Sequence, residues 1–126
     1  MIGSLQKQTV NKAKTLIKCD FEGGGSHLYF WCPGCKGFNF YNVGKPNSGG
    51  HNWDFNGDFE KPTFTPSLRY VGGPTGSLCH LFVTAGKIAY CTDCPHEYNG
   101  KTIDLPIIDA ETFAYHLWHN FPTEWL

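Results

Sequence analysis

No stretch of this chain is apolar for long enough to span a bilayer. The opening residues, Met1 to Lys18, mix Lys7, Lys12, Lys14 and Lys18 with polar side chains and lack the apolar core of a secretion signal. An excess of one charge is also missing: ten basic residues stand against eleven acidic ones, a formal net charge of -1. That balance provides no broad electrostatic footprint for nucleic acid or an anionic membrane, so the expected partner is a protein or peptide. Methionine occurs once, whereas glycine occurs fifteen times and aromatics make up 16% of the chain. Aromatic segments broken by glycine turns predict a mostly β fold rather than a helical bundle. Without an export signal the expected compartment is a reducing cytoplasm, where paired cysteines bind metal more often than they form disulfides.

At 126 residues the chain reads as one domain, 1–126. Strands are predicted over 15–21, 27–31, 38–43, 68–71, 78–84 and 87–91. Residues 1–25 read as an N-terminal extension, and 51–66 as irregular. Ala85-Gly86 reads as a tight hairpin turn. A C-terminal helix over 109–121 is predicted, capped by Asp109, with Phe113, Leu117 and Phe121 on its apolar side and Pro122 ending it. The expected fold class is mostly β (α+β): a small zinc-stabilised antiparallel meander, zinc-ribbon-like, with one C-terminal helix.

The zinc follows from cysteine spacing. Cys32-Pro33-Gly34-Cys35 and Cys91-Thr92-Asp93-Cys94 are two C-x-x-C pairs, and Cys79 lies between them. Such a turn aims two thiolates at one ion, and a second pair completes a tetrahedral structural site. Thioredoxin-like pairs also hold proline inside C-x-x-C, but they sit at a helix N-terminus. Lys36-Gly37-Phe38-Asn39-Phe40 reads instead as a strand. Cys19 has no partner at useful spacing and reads as a small core residue.

Register offers two choices for the second half of the site. Spacing alone favours Cys91 with Cys94. If Thr84 pairs with Lys87, however, His80 lies opposite Cys91, and alternation puts Cys79 and Cys94 on one face. His80, Cys91 and Asp93 then share the other. If Val71 also pairs with Leu78, Ser67 lies diagonal to His80 on that second face. Ser67, His80 and Asp93 would then form a nucleophile, a base and an orienting carboxylate. The plainer reading is a strand serine, a half-buried histidine and a turn aspartate. A third possibility is a catalytic zinc held by His80 and His96 with a carboxylate.

Weaker motifs have plainer explanations. Asp54-x-Asn56-x-Asp58 opens like a calcium loop but lacks the glycine and closing glutamate that calcium needs. His116-x-x-His119 reads as a polar helix face. Trp53, Phe55, Phe59 and Phe64 could stack on a ligand, but core packing is the default at such density.

Several of these motifs occur together in a known family. Cys32-Pro33-Gly34-Cys35, Trp53-Asp54-Phe55-Asn56-Gly57-Asp58 and Pro62-Thr63-Phe64-Thr65-Pro66-Ser67-Leu68 are followed by Cys79-His80-Leu81-Phe82, Gly86-Lys87-Ile88, Asp93-Cys94-Pro95-His96 and Gly100-Lys101-Thr102. In this order, over roughly residues 28–106, the chain resembles small phage and bacterial proteins of unknown function, often labelled "ammonia monooxygenase". That label fits poorly, because the genuine enzyme is an integral-membrane copper protein. Similar proteins in bacterial ubiquitin-like conjugation operons look like serine peptidases that process the ubiquitin-like partner. The resemblance implies Ser67 as nucleophile and His80 as base, with Asp93 matching by position only. Cys91 stands where the phage members usually carry an aliphatic residue. The resemblance thus favours Cys32, Cys35, Cys79 and Cys94 as ligands of a structural zinc, with Cys91 the alternative.

The expected function is a serine-type peptidase or amidase acting on a protein or peptide tail, in the cytoplasm of a bacterium or a phage-infected cell. The glycines Gly72, Gly73 or Gly86 are expected to permit an oxyanion hole. A non-enzymatic zinc-ribbon-like module that captures a host protein is the alternative. It would not need Ser67 within hydrogen-bond reach of His80.

Overall fold

A computed structural model of the chain describes residues 4–45, 50–72, 77–109, 111–113 and 123–126. These residues form two five-stranded sheets. The first contains β1 (Leu5–Val10), β2 (Ile17–Phe21), β3 (Ser26–Cys32) and β4 (Gly37–Val43) in chain order. The second runs β5 (Asp54–Phe55), β6 (Phe64–Gly72), β7 (Ser77–Thr84), β8 (Lys87–Tyr90) and β9 (Thr102–Asp104). A last strand, β10 (Thr123–Trp125), returns to lie parallel to β1 at the edge of the first sheet. Among the described residues the other strand pairings are antiparallel, and an isolated parallel bridge joins Val43 to Trp53.

The fold is mostly β and built of meanders, as expected, with its strands divided between two sheets. The supposed N-terminal extension is part of this architecture, because residues 5–21 supply two strands. Asp109 caps as predicted: its carboxylate accepts the Thr112 N–H at 2.7 Å, and residues 111–113 are helical. The rest of the predicted helix, with Leu117, Phe121 and Pro122, lies outside the described residues, as do His116 and His119.

Alternating side chains from both sheets meet in one core. Leu28, Phe30 and Tyr41 of the first sheet pack with Phe64, Leu81, Val83 and Ile88 of the second, all of them fully buried. The Tyr41 and Phe64 rings stack across the sheet boundary, 4.1 Å between centroids and 4° from parallel. Phe55 also stacks on Phe64, with 4.9 Å between centroids. The aromatics of the 51–66 segment therefore pack internally.

The Asp54-x-Asn56-x-Asp58 motif has a structural use. Asn56 Oδ1 accepts the Asp58 and Thr63 N–H groups, and Asp58 Oδ1 accepts those of Glu60 and Lys61. This self-capped loop presents Phe59 and Glu60 to the turn after β1. There the fully buried Asn11 accepts the N–H groups of Thr15 and Leu16 and donates to Thr15 Oγ1 and the Phe59 carbonyl. The Glu60 carboxylate accepts the Lys12 and Ala13 N–H groups at 2.9 and 3.0 Å. Asn11→Ala would strand these buried backbone groups, at about 1–3 kcal/mol for each one left without a partner. It is expected to lower stability by about 3 kcal/mol in chemical denaturation. A loss below about 1 kcal/mol would mean that water replaces the amide.

Candidate active site

The geometry begins with the β7–β8 hairpin. Ala85 and Gly86 both take positive φ at the turn, which sets Thr84 opposite Lys87. The ladder then runs to Leu81 opposite Tyr90, and the Cys91 N–H continues it by donating to the His80 carbonyl at 2.8 Å. On the other side, Val71 pairs with Leu78 and Arg69 with His80. Both predicted registers are present.

A break in the β6 register, between Phe64 and Leu68, was not expected. Ser67 sits in this bulge, just after the cis Thr65–Pro66 peptide. Trp53 secures it: the indole N–H donates to the Ser67 carbonyl at 3.2 Å, while the Trp53 backbone N–H donates to Asn42 of β4. Trp53 therefore ties the serine to the first sheet, a role with no local sequence signal because its partners lie on two other strands.

Ser67 Oγ stands 3.0 Å from His80 Nε2. On the opposite side of the ring, both Asp93 carboxylate oxygens lie 3.1 Å from His80 Nδ1. The three side chains thus form a hydroxyl–imidazole–carboxylate line. His80 is 26% exposed and Asp93 51%, so the line opens to solvent at the acid. The Asp93 turn is held from behind by its neighbour. Cys94 Sγ lies 3.3 Å from the His80 N–H and 3.2 Å from the His80 carbonyl.

Sulfur gathers on the buried face. The Cys32, Cys35 and Cys79 sulfurs converge within 4.8 Å of one another, and all three residues are fully buried. Cys35 and Cys79 stand joined as a disulfide, and Cys32 Sγ is 3.8 Å from Cys79 Sγ. A disulfide and a thiolate-bound metal are alternative uses of the same sulfurs. The donor set suits a metal, because a disulfide employs two sulfurs and leaves Cys32 a buried thiol beside the Tyr90 hydroxyl, 3.1 Å away. These cysteines can hold a soft or borderline ion.

Cys94 is buried in the same core but lies outside that trio. His96 approaches it instead, with Nε2 3.3 Å from Cys79 Sγ. Burial holds the His96 pKa below its ordinary value, partly offset by Glu97. A Cβ on Gly34 would fall 2.5 Å from the His96 ring, so only glycine lets the knuckle take this imidazole. His96 therefore sits beside Cys79, and among the described residues the metal-ligating groups that converge with His80 are Cys91 and Asp93.

Two other cysteines are elsewhere. Cys19 is buried in the first sheet, its pKa pushed up to about 11 by burial and then by Asp20. Cys91 is half-buried beside His80 and Asp93, and burial, then Asp93 and Cys94, raises its pKa. Two of the three predicted oxyanion glycines, Gly72 and Gly86, are not placed for that role. The Gly86 N–H already donates to the Pro62 carbonyl. Gly72 lies five residues along β6 from Ser67, about 16 Å away in an extended strand. Gly73 is outside the described residues.

The model of the bacterial ubiquitination-like system serine proteases (BubE) matches residues 3–91 of the chain. The chain belongs to the BubE family. No curated protein and no solved structure matches it. The BubE match includes Ser67 and His80 and ends two residues before Asp93. Among the described residues, no helix is long and apolar enough to cross a membrane.

Proposed function

We propose that this BubE-family chain is a serine peptidase that cleaves a protein or peptide tail, with Ser67, His80 and Asp93 as its catalytic residues. The observation that carries the reading is the unbroken line from Ser67 Oγ through the His80 ring to the Asp93 carboxylate. Ser67 Oγ attacks the scissile carbonyl carbon while His80 Nε2 takes the hydroxyl proton. Asp93 accepts the Nδ1–H bond, which keeps Nε2 free as the base and stabilises the imidazolium that forms. His80 then returns the proton to the departing amine, leaving an acyl-serine. Water, deprotonated by the same nitrogen, releases the acid and restores Ser67. The bulged backbone at Ser67 and Leu68 is the segment from which N–H donors to the oxyanion would come, since Pro66 has none.

The substrate we propose is the tail of a ubiquitin-like protein, which the family's description supports. The half-open Asp93 side suits an extended polypeptide.

The metal we propose is a structural zinc held by Cys32, Cys35 and Cys79, with Cys94 or His96 as the fourth ligand. Cys94 shares the buried face, whereas His96 already touches Cys79. When bound, zinc would cross-link the β3–β4 knuckle to β7 directly behind His80.

A fluorophosphonate probe tests the nucleophile. Intact-mass measurement is expected to find one adduct per chain, mapped to Ser67 by peptide sequencing. An adduct on another residue, or none on the folded protein, would count against the assignment.

A further inference from the structure

A second cluster of metal-ligating side chains lies on the catalytic face itself. The Cys91 thiol, a His80 ring nitrogen and an Asp93 carboxylate oxygen all fall within 4.8 Å of one another. None of the steps above uses Cys91. It is also the half-buried cysteine of its C-x-x-C pair: it continues the β8 ladder opposite His80 and groups with His80 and Asp93, while Cys94, beyond the turn, is buried.

We propose that these three side chains form an inhibitory site for a divalent zinc-like ion, resting on the peptidase reading above. Thiolate, imidazole and carboxylate together suit zinc, and three protein ligands leave its fourth position to water. Calcium and magnesium, which prefer oxygen, would be poor occupants.

Inhibition follows from the imidazole's two nitrogens. Nδ1 faces Asp93, and Nε2 faces Ser67. An ion seated among the three ligands takes the Nδ1 lone pair and the carboxylate that otherwise accepts Nδ1–H. The ring's single proton then resides on Nε2, which donates to Ser67 Oγ and can no longer accept its proton. The nucleophile stays a neutral hydroxyl while the fold is untouched. Binding also requires the Cys91 thiol to release its proton, so uptake of the ion liberates protons to solvent.

The test compares the purified chain with Cys91→Ser, adding zinc chloride to each and counting bound ions by native mass spectrometry. The wild-type chain is expected to bind one zinc more than the variant. Its fluorophosphonate labelling should fall roughly tenfold at about ten times the Kd of that ion. Labelling of Cys91→Ser, referred to its own zinc-free rate, should not change over that range. Equal zinc counts in the two proteins would overturn the site, and zinc-accelerated labelling would overturn its inhibitory character. If Ser67 never reacts in either protein, the peptidase reading fails, and the zinc count still decides whether the site exists.

Discussion

Ser67→Ala is expected to lower kcat/KM for cleavage of a ubiquitin-like tail fusion by about three orders of magnitude or more. A serine hydroxyl is a weak nucleophile at neutral pH, and in the proposed mechanism its activation depends on one contact, the 3.0 Å approach of His80 Nε2. His80→Ala removes the same activation and should cost a similar factor. The double variant should be no worse than either single one, because the two residues act as a unit. Asp93→Asn keeps the shape but offers an amide where Nδ1–H needs an acceptor, which favours the wrong tautomer. Its expected loss is about a hundredfold or more, the smaller figure reflecting a carboxylate that is 51% exposed and so shares its role with water. The Ser67 variant gives up one partly buried hydrogen bond, about 1 kcal/mol, so its melting temperature should stay within about 5 °C of the parent. Peptidase assays and melting curves on the same samples check both statements. A well-folded Ser67→Ala that still cleaves would remove the nucleophile assignment.

The second large effect is expected at the buried sulfurs. Stripping the proposed zinc with a strong chelator should abolish the cooperative melt, because apparent zinc affinities in small thiolate sites correspond to about 10 kcal/mol or more of folding free energy. A phosphine reductant without chelating groups should leave the melt unchanged, since zinc thiolates contain no bond for it to reduce. The disulfide alternative reverses this pattern. Cutting a Cys35–Cys79 bridge with 44 residues of separation would cost about 4 kcal/mol through loop entropy, and a chelator would do nothing. Elemental analysis of Cys94→Ser and His96→Ala should identify the fourth ligand, as only loss of a true ligand empties the site.

The two sites are neighbours by construction. Cys79 precedes His80, and Cys94 follows Asp93. Alternation in β7 buries Cys79 and turns His80 the other way, and the turn after β8 buries Cys94 while Asp93 meets the His80 ring. Loss of the metal should therefore also silence Ser67, in step with unfolding.

The strands around the knuckle and the hairpins were legible because their side chains alternate and glycine marks the turns. β3, β4, β7 and β8 fall close to where the pattern puts them. β1 was not legible. Its buried Gln8 and Thr9 look like surface residues, and Gln8 finds its partner in Thr123, 115 positions away. A buried polar residue carries no local mark of the partner that satisfies it. β9 and β10 are short edge strands whose pairing depends on neighbours distant in sequence.

What the sequence by itself determined is the hairpin register. The Ala85-Gly86 turn and the period of two in a strand are enough to put His80 and Cys91 on one face and Cys79 on the other. The tertiary structure alone decided the rest. It split the strands between two sheets and inserted the bulge at Ser67. Trp53, anchored to β4, holds that bulge, and His96 comes to 3.3 Å from Cys79. The physical reason is range. Turns and alternation act between adjacent strands, whereas sheet partnership, indole docking and ligand choice depend on which distant side chains share one core.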